Sequence, residues 1–191
     1  MKLRWPPKAI GLGPPLNLVM WSRQPRAELG RRALLSVTSG VLAASLIAAI
    51  DHFFFHGETA RGTPALDEHP TPAARVLIPF VGGLGEELYF RVFFATLVAA
   101  AVWWALRRLV GEREVAVTAA QWTGTIVAML YVGLWHTWMS ADPASNPRIM
   151  AINSVGNLLY GWMYWRWGLE FAVLTHGVLN ATLYLGYPLL H

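Results

Sequence analysis

Most of this chain consists of runs as long as a membrane is thick and almost free of charge. Residues 33–50, 115–141 and 149–165 contain no Asp, Glu, Lys or Arg, and residues 167–190 contain only Glu170. A further run, 76–106, is interrupted at one place, by Glu86, Glu87 and Arg91. At 1.5 Å per residue a helix needs about twenty residues to cross the hydrocarbon. The pattern therefore predicts an all-α fold, a polytopic transmembrane helical bundle of about five spans. Composition agrees: 14% of the residues are charged, against about 25% in a soluble domain. Pro79 with Gly82, Gly83 and Gly85 predicts an irregular start to the second span, ahead of a helix that runs through Arg107.

Loop charges orient these spans. Five crossings place the N-terminus, the 107–114 loop and the 166–170 turn on one side. That side carries eleven Lys and Arg residues, from Lys2 to Arg166, and the other carries Arg61, Arg75 and Arg148. The positive-inside rule makes the first side cytoplasmic and puts the C-terminus outside. Residues 1–32 then form a basic cytoplasmic segment, and 33–191 a single transmembrane domain whose first span acts as a signal anchor. Residues 57–75 form a Pro-rich polar loop. Tryptophans near the span ends (Trp103, Trp104, Trp138, Trp162, Trp165, Trp167) fit an interfacial belt. The net charge of +4 is thus accounted for by the bilayer, without a nucleic-acid partner. With no cysteine in the sequence, disulfides, thiolate metal sites and Cys-nucleophile chemistry are excluded.

Few polar groups remain inside the apolar runs. Glu86, Glu87 and Arg91 lie in the second span, His136 in the third, His176 and Asn180 in the fifth. A charge at the centre of a span costs about 2.5–3.5 kcal/mol on insertion scales, so such groups require a partner or a task. Glu87 and Arg91, four apart, face each other as a structural ion pair. Glu86 is turned about 100° from Glu87 and is left for another partner. His176 and Asn180, also four apart, present N–H donors on one helix face, as an oxyanion site requires. Asn153 and Asn157 share that spacing and are read as interhelical hydrogen-bond donors or as support for the site. Asp51 only closes the first run, and Arg148 is a loop charge.

Glu86-Glu87-Leu-Tyr-Phe-Arg91 resembles the EExxxR motif of the CAAX-protease and bacteriocin-processing (CPBP, or Abi) family of glutamate-type intramembrane endopeptidases. His176-Gly-Val-Leu-Asn180 resembles its final HxxxN motif. The middle motif, FxxxH, is half present: His136 is there, but Val132 stands where the family has Phe. The resemblance covers about 76–185, the catalytic core that it implies. It also implies that Glu86 and His136 activate a water and that His176 and Asn180 hold the oxyanion, while Glu87 and Arg91 fix the motif helix. A side-chain nucleophile is then unnecessary. The implied cofactor is none. Zinc is the alternative, with Glu86, His136 and His176 as an acceptable ligand set, although no HExxH is present. The implied partner is a membrane-associated protein or peptide, cut near its C-terminal end, and the implied location is a bacterial inner membrane. Two other readings compete: a non-catalytic scaffold or immunity protein of the same family, and a proton-coupled transporter using Glu86 and the histidines as a relay. Oligomeric state has no signature in the sequence.

Overall fold

The computed structural model describes residues 26–55, 71–110, 112–139 and 146–190. The basic segment up to residue 25 and the polar loop up to residue 70 lie outside the described residues. All regular structure within them is helical. Helix α1 spans Arg26–Phe55 and α2 Pro72–Glu87; α2 continues through a π-helical segment, Leu88–Ala95, into α3, Thr96–Leu106. Helices α4 (Arg113–Met139), α5 (Asn146–Trp167) and α6 (Leu169–Leu190) complete five rods. The fold is the expected transmembrane bundle. Three stretches, Ala27–Phe55, Leu77–Leu106 and Arg113–Met139, are long and apolar enough to cross a membrane on their own account. The apolar part of α6, Leu169–Leu185, is shorter. Helix α5 is more polar because its Asn157, Tyr160 and Tyr164 are turned into the protein, not towards lipid.

Contacts along the rods give their directions: α4 and α5 run opposite ways, with Met150 against Gly133, while the α2–α3 rod runs parallel to α5, from Arg91 at Asn157 to Thr96 at Tyr164. Gly83 of α2 lies against His176 of α6, and Thr96 beside Tyr164. Thr125 of α4 meets Gly161 of α5. A core of Ala44, Ile47, Tyr160, Met163, Tyr164, Ala172 and Leu179 joins α1, α5 and α6. The outer surface is apolar instead, with Leu34, Leu42, Val81, Phe93 and Leu97 largely exposed. Such a surface suits lipid and not water.

Two sequence expectations need correction. The second span does not start irregularly: α2 is helical through Pro79 and all three glycines. Thr71 caps its start, accepting from the Ala74 N–H at 3.2 Å, with proline in the first turn. The face with Phe80 and Gly83 is held by α6, where Phe80 packs on Gly177 and the His176 ring on Gly83; tertiary packing outweighs helix propensity here. The irregularity comes later. Across Leu88–Ala95 the backbone widens into a π-helix, and both the Thr96 N–H and its hydroxyl reach back to the Arg91 carbonyl. Widened turns of this kind recur at functional sites.

Arg148, read as a loop charge, is the second correction. It lies buried near the start of α5 and forms a hydrogen-bonded ion pair with buried Asp51 near the end of α1. Each side chain sits at a span end, where its sequence position alone marked only a run boundary or a loop charge. Bringing α1 and α5 together removes both from water at once.

Candidate active site

Three helices supply the carboxylates and imidazoles. Glu87, in the last turn of α2, is fully buried, and its Oε2 lies 3.3 Å from the Arg91 Nε one turn on. The angle makes this an ionic contact and not a hydrogen bond: neither atom has a hydrogen-bond partner among the described residues. Arg91 is anchored elsewhere. Its Nη2 donates to Asn157 Oδ1 on α5 at 2.6 Å, and the Asn157 amide donates to the Asn153 carbonyl. Asn157 therefore ties the motif helix to α5.

Glu87 has a second partner that spacing did not reveal. Its Oε1 lies 3.0 Å from His176 Nδ1 on α6. A carboxylate held beside a guanidinium accepts, so the His176 Nδ1–H donates. That bond fixes the ring and leaves Nε2 as the free atom. The same ring is stacked on Tyr160, with centroids 4.3 Å apart and an interplanar angle of 11°. Tyr160 is thus a second support that the sequence reading missed. It lies three residues after Asn157, on the same face of α5, and that spacing was the available signal.

Glu86 differs from its neighbour in exposure. Its side chain is 40% exposed against 1% for Glu87, and its Oε2 is 3.9 Å from His176 Nε2. That separation is too long for a hydrogen bond. His136 Nδ1, on α4, donates to the Val132 carbonyl at 2.9 Å, which leaves its Nε2 as the acceptor. Val132 itself is buried, and its backbone, not its side chain, orients the histidine.

All four residues border one cavity of about 260 Å³, with Glu86, His136, His176 and Asn180 on its wall beside Asn153, Asn157 and Tyr160. Ile47, Ile152, Leu183 and Tyr184 form its apolar part. The arrangement puts an exposed carboxylate, two imidazoles and three amides around a space for a water and a peptide group. A metal would have to draw on Glu86, His136 and His176. Among the described residues no three His, Asp or Glu side chains are grouped closely enough to hold one ion.

A family model for type II CAAX prenyl endopeptidases, Rce1-like, matches residues 69–182. The chain belongs to this Rce1-like family. The matched region runs from just before α2 into α6 and holds Glu86, Glu87, Arg91, His136, His176 and Asn180. At the level of the family, the protein is a CAAX-protease-type intramembrane peptidase, an integral membrane protein whose substrate is a membrane-associated protein. No curated protein matches the chain, and no solved structure does.

Proposed function

We propose that this Rce1-like protein is an endopeptidase that hydrolyses a peptide bond near the C-terminal end of a membrane-associated protein. The reading rests above all on the shared cavity, which Glu86, His136, His176 and Asn180 border from three helices. Glu86, the exposed carboxylate, removes a proton from a water that the His136 Nε2 lone pair also holds. The activated water attacks the scissile carbonyl. His176 and Asn180 then stabilise the oxyanion, and the proton passes from Glu86 to the leaving amine. Donation from His176 requires a proton on Nε2 as well, because Nδ1–H is engaged by Glu87. No side chain is acylated, and no metal enters this scheme.

The charge bias of the loops supports an orientation with the N-terminus in the cytoplasm of a bacterial inner membrane. The cavity then lies towards the outer half of the bilayer, between the later part of α1 and the beginning of α5. An outward-facing cavity suits trimming of a membrane anchor or sorting tail better than cutting a cytoplasmic tail.

The test compares membrane proteins from cells with the wild-type chain, with Glu86→Gln and with the gene deleted, by mass spectrometry of C-terminal peptides. A substrate uncut in both the deletion and the Glu86→Gln cells supports the scheme, provided the variant is inserted at normal abundance. A Glu86→Gln variant that still cuts, while His176→Gln does not, makes His176 Nε2 the base; the Glu87–His176 hydrogen bond favours that second reading. Processing by membranes stripped with a strong chelator separates the water-only scheme, which survives, from a zinc scheme, which does not.

A further inference from the structure

A second cleft lies between α4 and α5, outside the candidate active site and closer to the other end of the bundle. Its volume is about 310 Å³, and it is lined by Gln121, Trp122, Thr125, Trp162, Trp165 and Arg166. That volume is at the lower end of the range for small-ligand sites. The floor is locked: the Trp165 indole N–H donates to Thr125 Oγ1 at 3.0 Å, and Thr125 Oγ1 donates to the Gln121 carbonyl. Tryptophan is thus held at the base, while Trp122 and Trp162 are partly exposed at the sides.

Like Arg113, Arg166 differs from the paired arginines, and of the two it is the one that lines the cleft. Arg31 and Arg32 pair with Glu28, Arg91 with Glu87 and Arg148 with Asp51. Arg107 and Arg108 lie over Trp103 and Trp104. Arg166 is exposed and forms no ion pair with any described residue. The cleft lining holds no acidic side chain, and residues 1–25, on the same side of the predicted topology, contain none either. Among the described residues, then, no carboxylate is paired with it.

We propose that this cleft binds the phosphate headgroup of an anionic phospholipid, with Arg166 on the phosphate and Trp122 and Trp162 flanking the glycerol. Three observations favour a lipid over a free anion. The cleft sits at the end of α5, and the same end of the bundle carries Trp103, Trp104, Trp162, Trp165 and Trp167 with Arg107, Arg108 and Arg166. Aromatic and basic residues concentrate in this way at headgroup depth. Beyond Trp122 and Trp162 the exposed Ile126 and Leu158 continue the two helix faces into the hydrocarbon, a path for acyl chains. Basic pockets between transmembrane helices are also a general setting for anionic headgroups.

Native mass spectrometry of the full-length chain, released from mild detergent with equal phosphatidylglycerol and phosphatidylcholine, tests this. Phosphatidylglycerol adducts should exceed phosphatidylcholine adducts, and Arg166→Gln should weaken phosphatidylglycerol binding about fivefold, as expected for one cation at a membrane surface. Arg108→Gln removes the same charge outside the cleft and should leave binding close to wild type. Trp162→Leu should weaken it too, without any change of charge. Equal adducts of the two lipids, or equal loss in Arg108→Gln, would overturn the proposal. Displacement of the lipid by millimolar inorganic phosphate would overturn it as well, in favour of a plain anion site.

Discussion

Glu86 and Glu87 are adjacent in sequence and differ in every respect that matters chemically. One faces the cavity, 40% exposed, while the other is buried against Arg91 and His176. Their substitutions should separate accordingly. Glu86→Gln keeps the shape and loses the base, so the protein should insert at normal abundance and fail to cut; comparing membrane-fraction levels with substrate processing checks it. Glu87→Gln leaves Arg91 as an uncompensated buried charge and removes the carboxylate that orients His176. Breaking a buried pair in this way costs about 3–5 kcal/mol, so abundance should fall together with activity. A stable, abundant but inactive Glu87→Gln protein would contradict the structural ion-pair role and leave the orientation of His176 as what Glu87 supplies. Asn180→Ala should lower turnover by roughly 10²–10³ with substrate capture retained, the usual cost of one oxyanion donor; single-turnover kinetics separate the two. Much of this site is legible from spacing alone. Four-residue intervals put Glu87 with Arg91 and His176 with Asn180, because one helical turn fixes which side chains share a face. What spacing cannot convey is contact between distant helices: the Glu87–His176 and Arg91–Asn157 bonds join residues 89 and 66 positions apart.

At the scale of elements, the union of α2 and α6 carries the site, and it depends on a glycine. A Cβ on Gly177 would collide with the ring of Phe80; Gly177 adjoins His176, and Phe80 lies about two turns before Glu87. Gly177→Val should therefore push the two helices apart, at the 1–3 kcal/mol typical of overpacking, and lower activity more than abundance. Phe80→Ala in the same chain should restore part of the activity, because it removes the ring that the new side chain strikes. If the double variant behaves like the single one, the defect is not this contact. The sequence reading treated the glycines of α2 as breakers. It lacked the partner face on α6, where Gly83 lets the His176 ring come close, while Gly82 and Gly85 continue the helix with open space beside them. The π segment after Glu87 was equally hidden, since Leu88–Ala95 has no residue that marks a widened turn in the way that Pro or Gly marks a break.

For the whole molecule, the open question is what fastens the first helix to the rest of the bundle, since α1 lies outside the 69–182 match and yet contributes Ile47 to the cavity. Ala44 and Ile47 pack in the core with α5 and α6, and one turn beyond Ile47 the chain reaches Asp51, paired with Arg148. Residue Ile152, one turn after Arg148, lies on the same cavity wall. The ion pair thus lies one turn beyond the cavity wall on both α1 and α5. Hydropathy makes the apolar run of α1 readable but says nothing of its neighbour. A charge that ends one run and a charge that begins another look like a run boundary and a loop charge until the fold puts them together. Removing one partner should be worse than removing both. Asp51→Asn strands a buried guanidinium and should lower thermal stability and abundance markedly, at a cost of about 3–5 kcal/mol. Asp51→Leu with Arg148→Met replaces the pair by apolar groups of similar reach and should recover most of that stability. Activity distinguishes a clasp from a mere weld. If the pair serves only to hold α1 in place, the double variant cuts substrate as well as the wild type does. If the charges also shape the cavity end for the substrate, the double variant is stable but its KM rises while kcat is unchanged.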